Sequence, residues 1–187
     1  MMDASRPGKA TLATLWSGLL LVVVACGGGG SQASASNTTI NGIPCDLGER
    51  SAFQIHAHVA IYANGRSLTV PYGIGIGKPW QVQQSTEGPF VVAGSCFYWL
   101  HTHTGDGIIH IESPVQRTFT LGDFFAIWGQ PLSSSQAASA TGPVIAYVNG
   151  ERSSGDPSQI TLRAHQLIQL DVGDETPPRP FTFPPGL

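Results

Sequence analysis

Charged residues are scarce in this chain. Asp, Glu, Lys and Arg together make up 11% of its 187 residues, against about a quarter in ordinary globular proteins. The formal net charge is −3, and no run of Lys or Arg occurs after residue 10. The basic patch that nucleic-acid binding requires is therefore missing, and we expect no nucleic-acid partner.

Long hydrophobic runs are also missing. The apolar stretch from Leu12 to Ala25 follows Arg6 and Lys9 and is shorter than the roughly 20 residues that a membrane-spanning helix needs. This arrangement is typical of an export signal. The stretch ends in Val23-Val24-Ala25-Cys26 and resembles the lipobox of bacterial lipoproteins, whose Cys is diacylated and becomes the new N-terminus. The alternative is an ordinary secretory signal with an incidental Cys26.

The lipobox divides the chain into four parts. Residues 1–25 are expected to be a lipoprotein signal peptide, and residues 26–40, rich in Gly and Ser, a flexible tether. Residues 41–174 are expected to form a single β-rich domain, followed by a Pro-rich tail at 175–187. The expected location is the extracytoplasmic face of the cell membrane, with the membrane as a partner through the lipid.

Only three cysteines are present, and Cys26 is assigned to the lipid. The other two, Cys45 and Cys96, are predicted to form a disulfide, because exported proteins meet an oxidising environment. The alternative is that Cys96 is a thiolate metal ligand. If residues 95–103 are extended, Cys96 faces away from His101 and His103, which weighs against that alternative.

The rest of the chain predicts mainly β structure. Residues 54–62 alternate between apolar and other side chains and lead into Asn64-Gly65, a strong hairpin signal. A second hairpin is predicted at Asn149-Gly150, with a return strand that includes residues 160–162. We expect antiparallel hairpins that form a small sheet or barrel-like domain with one short helix, a mainly β (α+β) fold.

The short helix is predicted near Thr120. This residue can cap a helix together with Asp123, three residues later, and apolar residues follow at helical spacing. Pro131 is expected to stop the helix.

Five of the six histidines lie in two compact groups of the sequence. On a strand, residues two apart share a face with Cα atoms about 6.6 to 6.8 Å apart, so each His-x-His pair can offer two imidazoles to one metal ion. A turn at residues 105–107 would bring His110 opposite His101 or His103. We expect a metal site formed by His56, His58, His101, His103 and His110.

Met occurs only at positions 1 and 2, so the exported chain has no thioether ligand. An imidazole site then suits Zn or Cu first and Fe or Mn second. Asp106, Glu112 and His165 are candidates for accepting or donating hydrogen bonds around the metal-bound imidazoles. Histidines hydrogen-bonded to the backbone for structural reasons, or a metal-free catalytic or pH-sensing cluster, are the alternatives.

Three functions remain open from these features. The first is a lipid-anchored protein that binds a transition metal for capture, delivery or sensing, with a possible metal-exchange partner protein. The second is an extracytoplasmic metal-dependent hydrolase or oxidoreductase. The third is a cell-surface structural or interaction module with structural histidines.

Three segments carry a resemblance to a family. They are residues 56–65, from His56 to Gly65, residues 100–114, which read Leu-His-Thr-His and then Gly-Ile-Ile-His-Ile-Glu-Ser-Pro, and residues 119–125, which read Phe-Thr-Leu-Gly-Asp-Phe-Phe. In these segments the chain resembles an uncharacterised family of secreted or lipid-anchored prokaryotic proteins. The resemblance implies a shared domain over residues 45 to 173 and carries no established activity.

Overall fold

A computed structural model describes residues 39–187. The signal peptide expected at 1–25, Cys26 and most of the expected tether lie outside the described residues. The described part is mostly β structure with one short α-helix, which confirms the predicted fold class. Its strands are Thr39–Ile40 (β1), Ile43–Asp46 (β2), Phe53–Ala63 (β3), Arg66–Leu68 (β4), Gln81–Ser85 (β5), Gly88–Ala93 (β6), Phe97–Tyr98 (β7), Leu100–His101 (β8), Ile108–Ser113 (β9), Leu132–Ser133 (β10), Gln136–Ala137 (β11), Ala140–Thr141 (β12), Val144–Val148 (β13), Glu151–Arg152 (β14) and Gln166–Val172 (β15).

Seven of these strands form the principal sheet, in the order β14-β13-β15-β3-β9-β8, with β4 added beside β3. The strands β3 and β9 are antiparallel, as expected of a hairpin-based sheet, whereas β3 and β15 are parallel. A parallel pair needs a long crossover connection, and here most of the chain lies between the two strands. The sheet is open, with β14 and β8 at its edges.

The two faces of the sheet differ in composition because side chains alternate along each strand. One face of β3 carries Ile55, Ala57, Val59 and Ile61, which pack into the hydrophobic core with Ile109 and Ile111 of β9. The other face carries His56 and His58, beside His110 and Glu112 of β9. The titratable side chains of these two strands therefore lie on the face of the sheet opposite the core.

The helix Leu121–Trp128 (α1) covers the core face. The hydroxyl of Thr120 accepts a hydrogen bond from the backbone of Asp123, whose side chain accepts one from the backbone of Thr120, so the predicted capping box is confirmed. The helix ends before Pro131, because Gly129 adopts the left-handed conformation with φ of 72° and closes the last turn.

Both predicted hairpin turns form, and at each the Asn and the Gly have positive φ. The return strand of the second hairpin is Glu151–Arg152, so the prediction that it includes residues 160–162 was wrong. Ile160 and Leu162 instead join the core beside α1, where the carbonyl of Ile160 accepts a hydrogen bond from the backbone of Leu121 at 2.8 Å. Apolar side chains can be buried without belonging to a strand.

The Pro-rich segment at residues 175–187 packs against the sheet. Thr176 donates two hydrogen bonds to the fully buried carboxylate of Asp171, from its backbone N at 2.8 Å and its hydroxyl at 3.0 Å. Further along, the guanidinium of Arg179 lies over the ring of Tyr62. None of the helices in the part of the chain that the structure describes has the length and apolar character needed to cross a membrane.

Candidate metal centre

Three adjacent strands place three imidazoles side by side. His56 of β3 is the direct partner of His110 in β9, and His110 is the direct partner of His101 in β8. The ring centroids are 4.6 Å apart for His56 and His110, and 5.4 Å for His101 and His110. The expected pairing of His110 with His101 therefore forms, and strand register alone brings these histidines together.

His103 joins them from just beyond the end of β8. The predicted continuous strand over residues 95–103 is interrupted at Trp99, which separates β7 from β8. His103 lies in the connection to β9, and its ring centroid is 4.9 Å from that of His101 and 4.6 Å from that of His110. Phe90 of β6 stacks on the His103 ring, with ring centroids 4.7 Å apart.

The ring nitrogens of His101 and His103 have a specific arrangement. Nδ1 of His101 lies 2.9 Å from the carbonyl of Tyr98, and Nδ1 of His103 lies 2.5 Å from the carbonyl of Val91. A carbonyl only accepts hydrogen bonds, so each Nδ1 carries a proton, and the neutral ring has a lone pair on Nε2. The two Nε2 atoms lie 3.2 Å apart. Two lone pairs at this distance require a proton or a cation between them.

This distance fits a metal ion. With Zn–N bonds of about 2.0 to 2.1 Å, tetrahedral geometry places two ligand nitrogens about 3.3 to 3.4 Å apart. Metal-ligating histidines also commonly donate their second N–H to a backbone carbonyl, as both His101 and His103 do.

Two carboxylates complete the centre. Glu112 follows His110 by two residues on the same face of β9, is buried, and accepts a hydrogen bond from Gln54 at 3.0 Å. Burial raises the pKa of Glu112. Its Oε1 lies 3.6 Å from Nδ1 of His110, so Glu112 is placed to act as a ligand or as a hydrogen-bond partner of His110.

The other carboxylate, Glu49, was missed in the sequence. Its Oε1 lies 3.3 Å from Nε2 of His103 and 4.0 Å from Nε2 of His101, and its side chain is 41% exposed. The hydrogen bond from His103 lowers the pKa of Glu49. The predicted disulfide could have indicated that Glu49 lies near the histidines, because Cys45 and Cys96 join the segment before Glu49 to the segment that carries the histidines.

We use the term His/Glu cluster for six residues: His56, His101, His103, His110, Glu49 and Glu112. Three groups of three residues within the cluster could hold a metal ion. In each group, one ligand atom from each residue lies within 4.8 Å of the ligand atoms of the other two. The groups are His101, His103 and His110; His56, His110 and Glu112; and Glu49, His101 and Glu112.

Burial keeps most of these imidazoles neutral, which is the form that binds metal. Desolvation, reinforced by neighbouring histidines, lowers the pKa of His101 and that of His110 to about 3, and desolvation also lowers that of His56. For His103, desolvation is outweighed by hydrogen bonds to Glu49 and the Val91 carbonyl, and its pKa is raised. His103 is therefore the member of the cluster best able to hold a proton.

Two buried nitrogens of the cluster have no hydrogen-bond partner. They are Nε2 of His56 and Nδ1 of His110. These two residues are 6% and 8% exposed, respectively. Buried polar atoms are nearly always paired in folded proteins, and an unpaired one costs about 1 to 3 kcal/mol. A ligand that binds these nitrogens would remove that cost.

His58, one of the five expected metal ligands, lies outside the His/Glu cluster. Its Nε2 is 3.0 Å from the backbone carbonyl of Asp106, and its ring stacks on Phe181 at 3.6 Å between centroids. Desolvation lowers its pKa. It shares a face with His56, but its partner across β9 is Ile108, so strand register gives it no neighbouring imidazole.

The side chains of Asp106 and His165 have partners outside the cluster, while the backbone N of His165 donates a hydrogen bond to the carbonyl of His56 at 2.7 Å. The Asp106 side chain accepts a hydrogen bond from the backbone of Ile108 at 3.1 Å, which is a role in the turn. His165 is exposed, and its Nε2 lies 2.9 Å from the carbonyl of Leu187. Of the three residues expected around the metal ligands, only Glu112 is in the cluster.

The predicted disulfide between Cys45 and Cys96 is confirmed, with Cα atoms 5.3 Å apart. The alternative of Cys96 as a thiolate ligand is therefore excluded in this structure. The ligand atoms that the cluster offers are nitrogen and oxygen.

Comparison of the chain with protein-family models, curated proteins and solved structures yields no match.

Proposed function

We propose that this chain is a lipid-anchored protein on the extracytoplasmic face of the cell membrane that binds a transition metal through its His/Glu cluster. Its role would be metal capture, delivery or sensing. The observation that carries this proposal is the pair of Nε2 atoms on His101 and His103. They lie 3.2 Å apart, with both Nδ1 atoms engaged by backbone carbonyls.

The chemistry of the donors narrows the choice of metal. Nitrogen predominates, Cys96 is held in a disulfide, and the exported chain would have no Met. Imidazole-rich sites suit Zn²⁺ and Cu²⁺, and the two carboxylates also admit Fe²⁺ and Mn²⁺. We propose Zn²⁺ or Cu²⁺ as the first candidates.

One feature favours binding over purely structural histidines. Structural histidines satisfy both ring nitrogens with hydrogen bonds, yet Nε2 of His56 and Nδ1 of His110 are buried and unpaired.

Another feature favours a protein that holds a metal ion over an enzyme that uses the ion in catalysis. A cavity of about 570 Å³ lies between the sheet and residues 178–181, and its lining includes His58 and Asp106. None of the six residues of the His/Glu cluster lines this cavity. The cluster is instead closely packed by residues such as Phe90, with Glu49 as its most exposed member, which is an arrangement suited to holding and exchanging an ion.

The lipid anchor would place this metal site at the membrane surface. The proposal rests on the lipobox at Cys26 and on the Gly/Ser-rich segment that follows it. A metal carrier there would exchange its ion with a partner protein, and Glu49 would be the ligand most accessible to that partner.

Metal loading of the full-length chain tests the proposal. The protein is purified in mild detergent without a histidine tag, stripped with a chelator, and incubated with Zn²⁺, Cu²⁺ or Mg²⁺. At a free concentration 100 times Kd, binding stabilises the fold by about 2.7 kcal/mol, so we expect Tm to rise by several degrees with Zn²⁺ or Cu²⁺ and to stay constant with Mg²⁺.

Matched variants locate the binding. His103→Asn should reduce the rise in Tm, whereas His165→Asn, which changes an exposed histidine outside the cluster, should preserve it. An equal response of the two variants, or less than about a tenth of an equivalent of bound metal in the wild-type chain, would overturn the proposal.

The anchor is tested separately. Cys26→Ala should move the protein from the membrane fraction to the soluble extracytoplasmic fraction and abolish incorporation of labelled fatty acid. Unchanged labelling of this variant would contradict the lipobox assignment.

A further inference from the structure

The six residues of the His/Glu cluster divide into two sets of the same composition. One set contains His101, His103 and Glu49, and the other contains His56, His110 and Glu112. Each set has two histidines and one carboxylate, and no residue belongs to both. Two histidines with one carboxylate form a recurrent set of ligands for a divalent transition ion that keeps further coordination positions open.

The first set already has the spacing of ligands around one ion. Nε2 of His101 lies 3.2 Å from Nε2 of His103, and Oε1 of Glu49 lies 3.3 Å and 4.0 Å from these two nitrogens. These separations are close to the edges of a coordination polyhedron with metal–ligand bonds of about 2.0 to 2.2 Å.

The second set contains the unpaired atoms, and its carboxylate is the more buried of the two. His56 and His110 are direct partners across β3 and β9, and Glu112 is 4% exposed. One ligand atom from each of these three residues lies within 4.8 Å of the others. Both buried nitrogens without a hydrogen-bond partner, Nε2 of His56 and Nδ1 of His110, belong to this set.

One ion bound by the first set does not account for the unpaired buried nitrogen of His56 in the second set. Such an ion would engage His101, His103 and Glu49, but it would leave Nε2 of His56 without a partner. An ion held only by the second set would leave the 3.2 Å contact between Nε2 of His101 and Nε2 of His103 to a proton alone. Two ions satisfy both sets.

The two sets are also neighbours. His110 of the second set forms a group within 4.8 Å with His101 and His103 of the first. Glu112 of the second set forms another such group with Glu49 and His101. Ions held by the two sets would therefore lie close enough to share a bridging ligand, as in two-metal sites with ions about 3.5 to 4 Å apart.

We propose that the His/Glu cluster is a two-ion centre for divalent transition metals, with one ion on each set of two histidines and one carboxylate. This inference rests on the proposed function and adds a second metal position. The partly exposed Glu49 provides the side from which solvent reaches the ions.

Metal stoichiometry tests the proposal with Zn²⁺ as the probe. The full-length chain in detergent, without a histidine tag, is saturated with Zn²⁺, freed of unbound metal and analysed by elemental mass spectrometry. We expect two Zn²⁺ per chain for the wild type and for His165→Asn. We expect one for Glu112→Gln, which alters the second set, and one for Glu49→Gln, which alters the first.

The possible outcomes separate the two proposals. One Zn²⁺ per chain in the wild type, unchanged by Glu112→Gln, would overturn the two-ion centre and leave the proposed metal-binding function intact. No bound Zn²⁺ would overturn both proposals. Loss of all metal in both Glu→Gln variants, with the fold retained by circular dichroism, would also overturn the two-set division.

A measurement on the wild-type chain avoids dependence on the folding of variants. With two equivalents of Cu²⁺, electron paramagnetic resonance should show either a dipolar-broadened signal with a half-field transition or a loss of signal intensity through coupling across a bridging ligand. Two independent and unbroadened Cu²⁺ signals at this loading would overturn the proposed proximity of the ions.

Discussion

His101 and His110 face each other as direct partners across β8 and β9, with their rings stacked 5.4 Å apart and both residues buried. Desolvation first, and the neighbouring histidines second, lower the pKa of each to about 3. The pair is therefore neutral in the folded, metal-free chain near pH 7.

This relationship predicts that the metal-free protein loses stability as the pH falls. In the unfolded chain both histidines regain an ordinary pKa of about 6.5, so between pH 6.5 and pH 3 the unfolded state binds more protons than the folded state. Their contribution to stability is fully present above pH 6.5 and is lost as the pH falls through this window. Each histidine changes the free energy of unfolding by up to about 1.4 kcal/mol per pH unit.

His103 acts in the opposite direction, because its raised pKa contributes stability that is lost as the pH rises. The lowered pKa values of His56, His101 and His110 outweigh it. We expect urea unfolding of the chelated protein to give a free energy lower by about 2 kcal/mol or more at pH 5 than at pH 7. Equal values at the two pH values would contradict the neutral assignment of these histidines.

The disulfide between Cys45 and Cys96 is expected to stabilise the fold strongly. The cysteines are 51 residues apart in the sequence, and closing a loop of that length in the unfolded chain corresponds to about 4 kcal/mol. Replacing both by Ser should lower the free energy of unfolding of the metal-free protein by this order. The replacement should also weaken metal binding, since Glu49 follows Cys45 on the segment that the disulfide holds. A double variant as stable as the wild type would show that the disulfide constrains little.

Gly75 is expected to be essential for the position of His101. It has φ of +71°, and a Cβ there would lie 2.3 Å from the carbonyl oxygen of Leu100 and 3.1 Å from Cβ of His101. Gly75→Ala should therefore displace β8 and lower both the stability of the fold and its affinity for Zn²⁺.

Gly150→Ala is the matched control for this variant. Gly150 also has positive φ, of +83°, but a Cβ there meets nothing within 4 Å, so only the backbone strain of about 1 to 2 kcal/mol applies. Zn²⁺ titration should show a loss of affinity in Gly75→Ala and none in Gly150→Ala. The same affinity in both variants would show that the close approach to His101 is unimportant for the site.

Asp171 is expected to hold residues 175–187 against the sheet. Its fully buried carboxylate accepts hydrogen bonds from the backbone and hydroxyl of Thr176 and from Nε2 of Gln169. Asp171→Asn replaces one acceptor oxygen by a donor, and an unpaired buried donor costs about 1 to 3 kcal/mol.

Asp174→Asn, at an exposed position nearby, should change stability much less. Limited proteolysis should also cleave residues 175–187 faster in Asp171→Asn than in Asp174→Asn. Identical cleavage rates would contradict the anchoring role of Asp171.

Local sequence patterns predicted the elements that local interactions determine. The alternation along β3, the two Asn-Gly turns and the capping box at Thr120 each depend on residues a few positions apart, and all three form. The pairing of His110 with His101 was also accessible, because a hairpin fixes the register of its own two strands.

The features that the sequence left unpredicted depend on distant parts of the chain. The parallel pairing of β15 with β3 has no local signal, and neither does the approach of Glu49 to His103. His58 has the spacing of a metal ligand, but its ring stacks on Phe181, which is far away in the sequence. The period of a strand determines the face on which a side chain lies, whereas the neighbours on that face depend on tertiary packing.

Anomalous X-ray diffraction from Zn²⁺-loaded crystals of the protein would locate the metal ion proposed to lie between His101 and His103. We expect an anomalous peak at the zinc edge within about 2.0 to 2.1 Å of Nε2 of both residues. Zinc-soaked crystals with no peak at the His/Glu cluster, or with peaks only at exposed histidines such as His165, would contradict it.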